Sequence, residues 1–142
     1  MKVQFSVCAQ SIAIDQLTSR LSIFNVLDQI SLPAFPVFIP ELTFVALVRR
    51  EQEKDGDMFK CHLAIAKQGK QVAEAESPIG FDSASVARLV FNFSGLAIHS
   101  PGEIDFILTL PGGETHTLTI PVNQVGSTRS PDTIDPSPEP QD

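Results

Sequence analysis

Neither tryptophan nor tyrosine occurs in the 142-residue chain. Their flat amphipathic rings are the usual means of stacking on sugar faces and of anchoring sticky interfaces, so their absence argues against a carbohydrate-binding module. Cysteine is scarce too, with Cys8 and Cys61 alone. The opening MKVQFSVCAQ holds no apolar stretch of signal-peptide length, so two reduced thiols in a cytoplasmic protein are expected. Long apolar runs are also missing. The longest, LPAFPVFIPELTFVALV at residues 32–48, is broken by Pro33, Pro36, Pro40 and Glu41. It cannot run as the roughly 20-residue apolar helix that a bilayer needs. Basic residues are few, ten Lys and Arg against seventeen Asp and Glu, for a formal charge of -7 and a pI near 4.8. Only Arg49 and Arg50 adjoin, which leaves no basic patch to neutralise phosphates and argues against a nucleic-acid partner.

Catalytic signatures are equally lacking. There is no GxSxG elbow, no phosphate-cradling GxxxxGK and no GxGxxG. SPGE (100–103) and LPGGE (110–114) border strand-like runs rather than opening helices, so neither offers a helix N-terminus to an anion.

What is present is a period of two. Phe59, Cys61, Leu63 and Ile65 alternate with Lys60, His62, Ala64 and Ala66, the pattern of a half-buried strand. Ile104, Phe106, Leu108 and Leu110 repeat it, as do Leu118, Ile120 and Val122, and Leu89, Phe91 and Phe93. Val3, Phe5 and Val7 alternate with Gln4 and Ser6, a phase that groups Cys8 with the polar side. Leu21 to Ile30 and Leu42 to Val48 are apolar on both sides, as central strands are. EQEKDGD, KQGK, SPGE and PGGE punctuate these runs with turn residues. SPGE has the signature of a type II turn and PGG that of a three-residue hairpin loop, while QLTSRL reads as a turn or a single helical turn. After Val125 the chain carries four prolines and four acids with Ile134 as its one large apolar residue. Such a segment buries too little to offset its ordering entropy. The expected organisation is a domain over 1–123 and a disordered tail over 124–142.

The candidate chemical groups do not converge. If SPGE joins paired strands, His99 lies beside Ile104, while PGG places His116 beside Leu108 or Ile107. Three or four residues of strand then hold the two imidazoles roughly 10–14 Å apart, too far for one metal with Zn–N bonds of about 2 Å. His62 has no spaced partner. His62 adjoins Cys61 but takes the opposite side of the strand, so neither thiol is given an activating His or acid, and Cys61 reads as a small buried hydrophobe. Glu51, Glu53, Asp55 and Asp57 hint at calcium, but Lys54 interrupts them and a charged hairpin tip is the simpler reading. The segment LPAFPVFIPEL (32–42) stands out, because Phe35 and Phe38 sit in a proline-stiffened connection. Such side chains either cover the end of the core or are displayed for a partner.

The run VCAQSIAIDQLTSRLSIFNVLDQISLPAFPVFIPEL resembles the opening of a family of short bacterial proteins described as a domain of unknown function. Its members begin with a strand carrying a Cys and an Asp, then a turn, an "lSifgvfd.i" strand and "fP..ip.l". Cys8, Asp15, Leu21 to Ile30, and Phe35-Pro36 to Leu42 hold those places, and GLAIHSPGEIDFIL matches "glxfxxpGxYxFxl". Ile104 stands where an aromatic residue, usually Tyr, is expected, so a phenol hydrogen bond at that corner is lost. The resemblance spans about residues 3–122. It implies an all-β sandwich with no assigned activity, and carries over no site residue.

These observations lead to an all-β, two-sheet antiparallel β-sandwich of about eight strands, immunoglobulin-like or C2-like. The expected role is non-enzymatic, through protein–protein contact or homo-oligomerisation at Phe35 and Phe38, with no cofactor and no nucleic-acid or membrane partner. The alternative is a small-ligand or metal-binding sandwich using His62, Glu51 and Asp57. An enzyme would need His99 or His116 within hydrogen-bond reach of a Ser or Asp beside a concave pocket.

Overall fold

The structure, a computed structural model, describes residues 1–51, 58–81 and 84–126, and of Phe59 the backbone alone. Residues 127–142, most of the expected tail, lie outside the described residues, as do Glu53, Asp55 and Asp57. The described residues contain no helix and eleven strands: β1 (Lys2–Ile14), β2 (Leu21–Val26), β3 (Ile30–Leu32), β4 (Val37–Ile39), β5 (Leu42–Arg49), β6 (Met58–Lys67), β7 (Lys70–Gly80), β8 (Val86–Phe93), β9 (Leu96–Ile98), β10 (Gly102–Thr109) and β11 (Thr115–Gln124). They form a four-stranded sheet in the order β2-β1-β5-β8, a five-stranded sheet in the order β3-β11-β10-β6-β7, and the pair β4-β9.

The chain is all-β as expected, but eight strands was too few. β7 leaves no mark in the sequence, because VAEAES is poor in the β-branched and aromatic residues that mark strands. It forms because the two-residue loop Gln68-Gly69, with φ of 52° and 79°, returns the chain antiparallel along β6. Leu21 to Ile30 is not one central strand. It splits into β2, at the edge of one large sheet, and β3, at the edge of the other. β3 pairs in parallel with β11, so the sheets are not wholly antiparallel. SPGE is the sheet corner its turn chemistry suggests, but it does not join paired strands: β9 pairs with β4, so His99 does not lie beside Ile104. Lys67 holds that corner through Ser100 Oγ at 3.0 Å and the Pro101 carbonyl at 3.1 Å. The PGG loop is as expected. The Gly113 N–H donates to the Leu110 carbonyl at 2.9 Å, Gly113 has φ 91°, and His116 stands opposite Leu108.

The phase of β1 changes partway. Val3 faces Val48 but Phe5 faces Leu47, so an extra residue is inserted between them. Such a bulge reverses which side chains face in. Phe5 is therefore exposed, and Cys8, expected on the polar side, is fully buried.

One core cluster draws on both large sheets. Phe44 of β5 stacks on Phe106 of β10 with centroids 5.9 Å apart and an interplanar angle of 13°, and Phe91 of β8 tilts against Phe44 at 6.2 Å. Burying a side chain of this size contributes ~1.5–3 kcal/mol. β5 is buried on its other side as well, at Thr43 and Val45. The turn of the β1–β2 hairpin reaches Arg88 of β8, whose Nη2 donates to the Ser19 carbonyl. Within this turn Asp15 Oδ1 accepts from the amides of Leu17 at 2.8 Å and Thr18 at 2.9 Å. Those Thr18 and Leu17 bonds hold its carboxyl below the usual range.

Candidate functional site

The proline-stiffened connection separates its two phenylalanines. Phe35, Val37 and Ile39 pack against the core, with Val37 opposite Ile98 and Ile39 opposite Leu96. Pro36, Phe38 and Pro40 take the outward side, and Phe38 is 64% exposed. The small β4-β9 pair thus covers part of the core with one face and displays Phe38 on the other. The ring of Phe38 lies on Gly95, in the turn between β8 and β9. A Cβ there would stand 2.5 Å from Phe38 Cζ, and the glycine has φ 106°. The ring is therefore seated on bare backbone, and Gly95 is a residue of this candidate site that sequence reasoning missed. Its signal was the SG pair in FNFSGLAI, where an interruption between two apolar runs marks a turn.

Beside this ridge is a cleft of about 310 Å³ lined by Val26, Leu27, Ile39, Pro40 and Leu42, with Gln10, Asn25 and Glu41 at its polar positions. A second cleft, about 430 Å³, lies across Gln10, Glu41 and Leu42 from the first and is more polar, with Ser11, Thr43, Asn92 and Ser94 among its lining residues. Thr43 Oγ1 donates to Asn92 Oδ1 at 3.0 Å, which fixes the orientation of that amide.

A family model described as a family of unknown function, DUF6941, matches residues 4–123. The chain belongs to this family. No curated protein and no solved structure matches the chain. The DUF6941 region begins inside β1 and ends inside β11, so it contains Phe38, Gly95 and the residues lining both clefts. No helix among the described residues is long and apolar enough to cross a membrane.

The remaining candidate groups of this DUF6941 chain are placed apart. His62 pairs with Glu74 Oε1 on β7 at 2.8 Å, and Glu51 with the amino group of Met1 at 3.3 Å, so His62 and Glu51 are not brought together. His99 is exposed after β9. No group of three or more His, Cys, Asp or Glu among the described residues is placed to hold a metal ion. One contact was invisible in the sequence: Ser6 Oγ lies 2.9 Å from His116 Nε2. The β1 bulge turns Ser6 toward the core side, and the residues meet although 110 positions separate them. His116 lines a cleft of about 250 Å³ with Lys2, Val3, Leu110, Glu114 and Thr115. Ser6 is not among these lining residues, and no carboxylate among the described residues hydrogen-bonds His116 to orient it as a base. The pair clasps β1 to β11 and meets the hydrogen-bond condition stated above for an enzyme, with the cleft on the His116 side.

Burial pushes the Cys8 thiol up to about 12 and the Cys61 thiol up to about 11. From an ordinary value of 9.0, a shift to about 12 leaves roughly a thousandfold less thiolate at Cys8. Both cysteines should therefore resist a thiol-specific disulfide reagent at pH 8 in the native protein and react fully in denaturant. Rapid labelling of either without denaturant would show that its burial is wrong.

Proposed function

We propose that this DUF6941 domain is a non-enzymatic β-sandwich that works by protein–protein contact, receiving a partner's apolar side chain at the Phe38 ridge and its adjoining cleft. The observation that carries the reading is the exposure of Phe38 on a seat only glycine provides. A large aromatic ring held outward in a fixed orientation loses little conformational entropy on docking, and such rings dominate interface energetics. The sandwich reading rests on the Phe44–Phe106 stack, which joins β5 of one large sheet to β10 of the other. Two free, buried thiols suit a reducing, cytoplasmic setting.

A photo-crosslinking phenylalanine analogue at position 38 tests the docking reading in the producing cell, with the same analogue at Thr117, on β11, as control. The expected result is a discrete protein adduct from position 38 that free wild-type chain competes away. Equal labelling at both positions, or none at 38, would remove the ridge from consideration. A small-ligand reading is favoured by the 430 Å³ cleft, which falls within the usual range of roughly 300–1,000 Å³ for such sites. A small molecule retained in native mass spectrometry and lost on Asn92→Leu would support it.

A further inference from the structure

The apolar cleft beside Phe38 and the more polar cleft next to it share one wall, built by Gln10, Glu41 and Leu42. Glu41 is the only charged residue that lines either of them. It is exposed and enters no ion pair among the described residues. On one side of this wall, Val26, Leu27 and Ile39 line a space of about 310 Å³. On the other, a space of about 430 Å³ combines apolar Ile12, Val90 and Phe93 with the hydroxyls of Ser11 and Ser94. An apolar floor, oxygen acceptors and one carboxylate suit a long basic side chain, whose carbon stem packs on apolar surface while its head stays among polar groups.

We propose that the partner segment docking at the Phe38 ridge carries an apolar residue for the first cleft and a lysine or arginine for the second, paired with Glu41 on the shared wall. The inference rests on the ridge reading for where the partner binds, and adds the chemistry by which it is recognised. Alternate side chains of an extended segment point the same way about 7 Å apart, which matches two adjoining clefts of this size. The expected partner sequence is therefore an apolar residue two positions from a basic one. Long-range charge acts in the same sense, since a chain of formal charge -7 attracts a basic segment and repels an acidic one.

Amide NMR shifts of the isotopically labelled full chain, titrated with end-capped tripeptides, test the proposal. Circular dichroism confirms the fold of each variant. Leu-Gly-Lys or Leu-Gly-Arg should shift both Leu27, lining the first cleft, and Phe93, lining the second, and leave Thr117 on β11 unmoved. Leu-Gly-Glu should bind at least about tenfold more weakly, and Glu41→Lys should weaken the basic tripeptides by about as much. Glu41→Gln should cost about fivefold and remove most of the salt dependence. Gly-Gly-Lys should shift Phe93 but not Leu27. Equal binding of Leu-Gly-Lys and Leu-Gly-Glu, or unchanged affinity in Glu41→Lys, would overturn the proposal while the position-38 crosslink still stands for the ridge. A missing crosslink strikes the ridge instead. No shift at either cleft with both basic tripeptides, or a small molecule in the second cleft that neither displaces, would also overturn the proposal.

Discussion

Truncation of Phe44 to alanine is expected to remove about 3–5 kcal/mol of stability. The residue is fully buried on β5, which is hydrogen-bonded to β1 on one side and β8 on the other. Backbone held on both edges cannot close in on a lost ring, so most of the cavity would persist. The ring also stacks on Phe106 at 5.9 Å, a contact that joins the two large sheets, and tilts against Phe91 of its own sheet at 6.2 Å. Such pairs add ~0.5–1.5 kcal/mol beyond the area they bury. Domains are stable by only about 5–15 kcal/mol in all, so this one truncation consumes a large part of the margin. Without Trp or Tyr the unfolding is best followed by far-ultraviolet circular dichroism in urea. The midpoint should fall with little change in slope. Phe44→Ala and Phe106→Ala should be non-additive in a double-mutant cycle. A loss below about 1 kcal/mol for Phe44→Ala would mean that this site is not the tightly packed junction described.

The second large effect is expected at Gly95. Alanine there must adopt φ 106° and place its Cβ 2.5 Å from Cζ and 2.9 Å from Cε1 of Phe38. The backbone strain is worth about 1–3 kcal/mol, and the clash is relieved only if the Phe38 ring leaves its seat. Gly95→Ala should therefore lower stability and also abolish the position-38 crosslink, although it removes no contact atom. The two causes separate in the Gly95→Ala/Phe38→Ala double variant, which relieves the clash and keeps the strain. Gly112 supplies the control, because a Cβ there meets nothing within 4 Å. Alanine at 112 should be close to neutral and leave crosslinking unchanged. An unaltered crosslink in Gly95→Ala would show that Phe38 does not depend on this glycine.

Legibility from sequence followed the range of the determining interaction. β6, β8, β10 and β11 were readable because alternation reports one buried face directly, and β5 because a run apolar on both sides marks a central strand. β1 was misread beyond Gln4, since a single inserted residue inverts the phase and leaves no compositional trace. β7 was missed because it is held by its hairpin with β6 rather than by its own propensity. In the candidate site, proline spacing marked the right segment. It could not say which phenylalanine faces outward, because that depends on the pairing of β4 with β9, some sixty residues further along the chain.

By itself, the sequence determined that the chain is strand-forming, acidic and free of helix-borne motifs, and it located the PGG hairpin loop and the proline-rich ridge. All of these are properties of short windows, where side-chain periodicity and turn stereochemistry act locally. Tertiary structure alone decided that β3 joins β11 in parallel, that Gly95 seats Phe38, and that Ser6 meets His116. Each of these depends on which distant strands share a sheet, a choice made by the whole core when it packs.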